Sequence, residues 1–194
     1  MRRTADARSA RGRAQGRTLP ALRRHRRDAH LLPPERYGRS GGGWLSFGIM
    51  WRQTATAVFP GVGFREPARV PDLVAAETRL GRALPAELRQ LLLESDGVIG
   101  HTHVDTVWSL DQIVEKNLLF WSDRTFAQLY MAFDALFFFG DNGGGDQFAF
   151  VQKPERPDIF VWEHESDSRR WVANGLQDYL SRSLRAGGDD WYQL

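Results

Sequence analysis

The sequence predicts a single α+β domain, with a largely antiparallel mixed sheet flanked by helices. Two observations support this fold class. Candidate strands cluster in the second half of the chain, between helical patterns that precede and follow them. The order of predicted elements is two helices, a strand, a helix, several strands and a last helix, and this clustering of strands favours a largely antiparallel sheet.

The central element is the stretch at residues 136–151, LFFFGDNGGGDQFAFV, which predicts a β-hairpin. Its first apolar run is short and aromatic and ends at Gly140, which is typical of a strand buried on both faces. Its second run repeats Phe148 and Phe150 at the strand period of two. Three glycines between the runs allow a sharp turn, so we interpret the loop glycines as structural. They are Gly143, Gly144 and Gly145, together with Gly140.

The glycine loop has three chemical interpretations. It matches neither the G-x-G-x-x-G nor the Walker pattern of phosphate-binding loops. A calcium loop needs oxygen ligands at its third and fifth positions, and counting from Asp141 both positions hold glycine. We favour a plain turn in which Asp141 and Asp146 accept hydrogen bonds from the turn's own backbone N–H groups.

Two helices precede the sheet. Apolar residues at helical spacing predict one helix between Pro71 and Gly81 and a second between Pro85 and Gly97. Proline suits the first turn of a helix and glycine suits its end. Residues 50–70 are expected to be irregular chain with at most one short edge strand. On the first helix Leu73, Ala76, Glu77 and Leu80 share a face, and the inward stripe of the second consists of Leu88, Leu91 and Leu92.

The segment between these helices and the hairpin predicts a core strand near Trp108 and a short helix with Asp111 as its N-cap. His101 and His103 would share one face of a strand, as two zinc ligands would. No further ligand is apparent, so we interpret this stretch as a solvated loop or edge strand. Residues 119–134 are aromatic without a clear period, and we predict no element there.

After the hairpin, residues 152–158 predict a polar connection and residues 159–162 a strand. Residues 163–168, EHESDS, predict an acidic turn. A last helix is expected to begin at Asn174, with Gln177 in the capping-box position. Its predicted buried stripe consists of Leu176, Tyr179, Leu180 and Leu184.

Three segments, in this order, resemble the landmarks of the SUKH superfamily: ETRLGRALPAELRQLLLESDG at 77–97, FFFGDNGGGDQFAF at 137–150 and IFVWEHESD at 159–167. That superfamily includes a fungal cell-wall-synthesis regulator and many bacterial immunity proteins. The resemblance implies a bacterial protein-binding module and supplies no catalytic residue. The family's Trp and Gly-Asp positions match Trp162, Gly140 and Asp141, which are expected to be structural at least in part.

Charge divides the chain into two parts. Residues 1–49 hold twelve arginines and three acidic residues, a formal charge of +9, whereas residues 50–194 hold 14 basic and 21 acidic residues, a formal charge of −7. The first part lacks an apolar period, so we expect a disordered extension. An over-extended gene model is the alternative, because Met50 offers a start and the 24 arginines against two lysines indicate GC-rich coding. The domain is predicted at 50–194, with its core at about 64–186.

Several classes of chemistry are disfavoured. The sequence contains no cysteine, which excludes disulfides, thiolate metal sites and cysteine nucleophiles. His164 lies between Glu163 and Glu165, as in an acid–base site, but Ser166 has no G-x-S-x-G context. We expect no enzyme activity, cofactor or metal. The apolar stretch at 44–51 is too short to span a bilayer, so we expect a cytoplasmic protein.

The predicted function is binding of a partner protein, a cognate toxin domain, through acidic turns. A nuclease toxin presents a positive surface to its substrate, so an acidic protein complements it. A housekeeping adaptor of the same fold is one alternative. Nucleic-acid binding through the basic extension is another. The candidate partner-binding residues are Asp141, Asn142, Asp146, Glu163, Glu165 and Asp167.

Overall fold

The computed structural model describes residues 50–193, and the predictions for residues 1–49 lie outside that range. In the described part, the helices are α1 Trp51–Val58, α2 Val70–Leu80, α3 Ala86–Glu94, α4 Leu110–Ser122, α5 Arg124–Leu129 and α6 Leu176–Arg185. The strands are β1 Gly63–Phe64, β2 Val98–Ile99, β3 Asp105–Val107, β4 Leu136–Asp141, β5 Gln147–Gln152, β6 Glu155–Glu163 and β7 Ser168–Ala173. Short 3₁₀ turns lie at His101–His103 and Trp191–Gln193.

The predicted α+β class is confirmed. Within residues 50–193 the strands form two antiparallel sheets, ordered β1-β2-β3 and β4-β5-β6-β7. The small sheet meets the large one where the Trp108 backbone N–H donates to the Phe139 carbonyl at 2.8 Å. The prediction of one sheet is thereby refined to two sheets that contact at the edge of β4.

The predicted hairpin at 136–151 is confirmed, with Phe137 of β4 opposite Phe150 of β5. Adjacent residues of β4 pack on opposite sides of the sheet. Phe138 lies 4.6 Å, ring centre to ring centre, from Phe120 of α4, whereas Phe139 lies 5.0 Å from Tyr179 of α6. Helices on both faces explain why this aromatic strand is buried throughout.

The paired helices α2 and α3 are also confirmed. Gly81 ends α2 in the left-handed conformation, with φ of 66°, and the proline before α3 serves as its N-cap. The apolar residues predicted to face inward on α2, α3 and α6 are buried. The hairpin core is buried as well, as are Trp162 and Leu180.

The prediction of irregular chain at 50–70 is wrong over its first part, because α1 occupies residues 51–58. Trp51 and Ala55, four residues apart, form its buried face, and Trp51 is 1% exposed. At the other end Tyr192 is 5% exposed. The core therefore extends beyond the predicted limits of 64 and 186.

The N-caps predicted for α4 and α6 are wrong. Ser109 caps α4 in a capping box with Gln112, and Asp111 lies in the first turn. Gly175 is the N-cap residue of α6 and supplies no side chain. A carboxylate from another helix takes that place, since Glu87 Oε2 accepts the Leu176 N–H at 2.7 Å.

Strand β6 begins at Glu155, inside the predicted polar connection, although Pro157 lies within it. The pairing with β7 starts only at Ile159. Residues 155–158 thus form an edge on that side of β6. A proline there breaks no hydrogen bond to a neighbouring strand.

Candidate functional site

The glycine loop between β4 and β5 is held by its own polar side chains. Asp141 Oδ1 accepts the Gly143 N–H at 2.9 Å, and Asn142 Oδ1 accepts the Gly144 N–H at 2.8 Å. The turn capping predicted for Asp141 is therefore present. Gly143 and Gly145 have φ angles of +76° and +117°, which strongly favour glycine.

Gly140 and Gly145 are also required by close contacts. A Cβ on Gly140 would lie 2.2 Å from the Thr106 carbonyl oxygen, in the neighbouring strand β3. A Cβ on Gly145 would lie 2.7 Å from the imidazole ring of His164. Gly140 lets β3 approach the hairpin, and Gly145 lets the turn between β6 and β7 approach it.

Asp146 joins three segments of the chain, rather than capping its own loop as predicted. Its buried carboxylate accepts the backbone N–H of His164 at 3.1 Å and lies 2.9 Å from His164 Nδ1. It also accepts the Tyr192 hydroxyl at 2.9 Å. Burial raises the pKa of Tyr192, and the hydrogen bond to Asp146 raises it further, so the phenol stays a donor.

The turn between β6 and β7 lies at the same end of the sheet. Asp167 accepts Trp162 Nε1–H at 2.8 Å and the Met131 backbone N–H at 2.7 Å. Glu163 accepts hydrogen bonds from the Arg170 guanidinium on β7. Glu165 at the tip of the turn is exposed. Trp162 itself is buried beneath the turn.

The structure brings the predicted partner-binding residues together at one end of the large sheet. Most of their carboxylates are engaged within the chain, since Asp141 also accepts Trp108 Nε1–H at 2.9 Å. Glu165 presents its carboxylate outward. Contact of this set with a partner stays a prediction.

The C-terminal segment belongs to the same cluster and was not predicted. Asn142 Nδ2 donates to the Tyr192 hydroxyl at 2.7 Å and to Asp190 at 3.2 Å. The Trp191 ring stacks over Phe148 of β5, with ring centres 6.1 Å apart. The signal in the sequence was the aromatic pair Trp191-Tyr192, which follows Gly187 and Gly188. No local pattern indicated which residues this pair contacts.

The histidines do not assemble a site with further ligands. His101 Nε2 lies 2.8 Å from the Leu184 carbonyl oxygen, and Thr102 and His103 adopt positive φ angles in a 3₁₀ turn, not a strand. Over residues 50–193 no group of three His, Asp or Glu side chains is placed to hold a metal. Beside the His164–Asp146 pair, the Ser166 hydroxyl donates to Glu163.

No helix within the described range is both long enough and apolar enough to cross a membrane. No curated protein matches the chain in sequence. The model of the SMI1 / KNR4 family (SUKH-1) matches residues 67–182, more than half of the 194 residues. Those residues include both turns and the helices and strands that position them. The resemblance to SUKH proteins is therefore confirmed, and the chain belongs to the SMI1 / KNR4 family (SUKH-1).

Proposed function

We propose that this protein is an immunity-type binding protein that neutralises a cognate toxin domain by direct contact. Membership of the SUKH group supports a protein-interaction module and accords with a non-enzymatic role. The observation that carries the proposal is the double contact of Asp146 with His164. It joins the glycine loop to the β6–β7 turn.

Charge favours a basic partner, such as a domain that cleaves nucleic acid. Residues 50–194 carry a formal charge of −7. Complementary charge accelerates association and favours correct orientation, and salt screens both effects.

We expect the partner to contact the exposed carboxylates and the exposed apolar side chains at this end of the sheet. Glu165 and Asp189 are exposed at this end of the sheet, whereas Asp146 and Glu163 hold the turns in place. Met131 is 57% exposed and bonds to the β6–β7 turn through its backbone, and Leu129, two residues before it, is 66% exposed. Apolar side chains of this kind supply binding energy that exposed charges do not.

The direct test is co-expression with a toxin domain encoded beside this gene, scored by cell survival. The intact chain should rescue growth, and Glu165→Lys should weaken rescue. Glu155→Lys is the matched control, because Glu155 is also exposed but begins β6 at the opposite end. Failure of the intact chain to rescue would reject the immunity role. Equal effects of the two reversals would reject this surface.

A further inference from the structure

The chain contains two Asn-Gly dipeptides, Asn142-Gly143 and Asn174-Gly175. Asparagine is thermolabile, and a following glycine leaves its side-chain amide open to attack because glycine has no Cβ. The glycine backbone nitrogen bonds to the asparagine Cγ, and the Cγ–Nδ2 bond breaks as ammonia leaves with the backbone proton. Water then opens the cyclic imide to aspartate or isoaspartate. Both dipeptides place glycine directly after asparagine, so the fold determines which of them reacts faster.

The fold locks the first dipeptide. Asn142 Oδ1 accepts the Gly144 and Asp146 N–H groups at 2.8 and 3.1 Å, and its Nδ2 donates to Tyr192 and Asp190. The attacking nitrogen is also engaged, since the Gly143 N–H donates to Asp141 at 2.9 Å. Reaction at Asn142 requires these hydrogen bonds to break first.

The second dipeptide is held far less firmly. Asn174 is exposed, and its side chain donates one long hydrogen bond, 3.3 Å from Nδ2 to Asp178 Oδ2. It lies just before α6, and its backbone N–H donates to the same Asp178 oxygen at 3.1 Å. Gly175 is buried and has an extended backbone, with φ of 164°.

We propose that Asn174 is a site of spontaneous deamidation in the folded protein and that the glycine loop protects Asn142. The product carries a new carboxylate beside Asp178, whose hydrogen bond from Nδ2 is lost. The isoaspartate form also lengthens the backbone before Gly175, whose carbonyl accepts the Tyr179 N–H at 3.0 Å. Deamidation therefore loosens the start of α6.

The test is incubation of the full chain at mildly alkaline pH, followed by tryptic peptide mapping. Trypsin cleaves after arginine and lysine except before proline, so the dipeptides lie in separate peptides, 125–169 and 171–182. Conversion at Asn174 should exceed conversion at Asn142 several-fold in buffer. In concentrated guanidinium chloride the two should convert at similar rates, because the protecting hydrogen bonds are absent. Equal rates in buffer, or faster conversion at Asn142, would overturn the proposal.

Two variants serve as controls. Gly175→Ala should slow conversion at Asn174, because a methyl group hinders the attacking nitrogen, and should leave Asn142 unchanged. The extended φ accepts alanine, and the added Cβ would lie 3.2 Å from the Glu87 carboxylate oxygen that accepts the Leu176 N–H. Asn174→Gln removes the reactive dipeptide without changing Gly175. Material deamidated at Asn174, separated by ion exchange, should melt below unmodified protein, whereas Asn174→Gln incubated identically should show no such shift.

Discussion

Asn117 forms the backbone hydrogen bonds that a neighbouring strand would otherwise form at the outer edge of β4. It is fully buried in α4, where its Nδ2 donates to the Phe138 carbonyl at 2.7 Å and its Oδ1 accepts the Phe138 N–H at 2.8 Å. Trp121 Nε1 donates to the Leu136 carbonyl on the same edge. Side chains thus satisfy backbone groups that water cannot reach.

Replacing Asn117 with alanine should strongly destabilise the protein. The change leaves a buried donor and a buried acceptor of Phe138 unpaired, so we expect a loss of about 3 kcal/mol in the free energy of unfolding. Urea denaturation measures this quantity. Gln90→Ala, on an exposed face of α3, is the control and should change little. A loss below about 1 kcal/mol for Asn117→Ala would show that water or a rearranged edge satisfies Phe138.

The cap of α4 provides a test at the scale of one element. Ser109→Ala removes the N-cap hydroxyl and should cost about 1 kcal/mol in the free energy of unfolding. Asp111→Ala changes only a charge in the first turn and should cost less. A larger loss for Asp111→Ala than for Ser109→Ala in denaturant unfolding would show that Asp111, not Ser109, is the main stabilising residue at the N-terminal end of α4.

The same end of α4 predicts a pH dependence. Asp96 Oδ1 accepts the Leu110 N–H at 2.6 Å. Burial raises the pKa of Asp96 against the lowering effect of that hydrogen bond, and Asp111 raises it further. The Asp96 carboxyl therefore ionises less readily in the folded state than in the unfolded state. The free energy of unfolding falls as the pH rises from 3.8 through the folded pKa of Asp96.

Asp96→Asn keeps an acceptor for Leu110 and removes this ionisation. We compare the melting temperature of this variant with that of the wild type at each pH. The variant's advantage should be smallest below pH 3.8, increase as the pH rises through the folded pKa of Asp96, and then stay constant. Melting curves across acid and neutral pH measure the difference. A difference that shrinks as the pH rises would mean that the ionised carboxylate is favoured by folding.

Elements with a strong local pattern were predictable, and those fixed by tertiary contacts were not. The buried stripes of α2 and α3 repeat at helical spacing, and the β4–β5 hairpin combines aromatic runs with loop glycines. By contrast α1 shows only two buried residues, and the six residues of α5 show none. In α5 only the partly buried Phe126 packs against the core, so the Asp123 cap is the main local signal for this helix.

The two turns of the candidate site were predictable, but their connections to each other and to the C-terminal segment were not. The glycines and acids of both turns are visible in the sequence, and their shared end follows from antiparallel pairing. The contact of Asp146 with Tyr192 joins residues 46 positions apart, and no local pattern encodes it.

At the scale of the whole molecule, the buried core lies between Trp51 and Tyr192. A chain that starts at Met50 should therefore fold and keep the melting temperature of the full chain, because it retains every described core residue. Calorimetry on the two chains under one buffer checks this. A drop of several degrees would show that residues before Met50 contribute to the core.

Hydrogen exchange of the complex is the sharpest test of whether the joined turns bind a basic toxin domain. Using the domain identified by co-expression, amide protection should increase at residues 141–146, 163–167 and 129–131, which comprise both turns and the apolar side chains beside them. The opposite end of the sheet, residues 152–158, should exchange as in the free protein. Protection confined to residues 152–158 or to the helices far from these turns would show that the partner binds elsewhere on the protein.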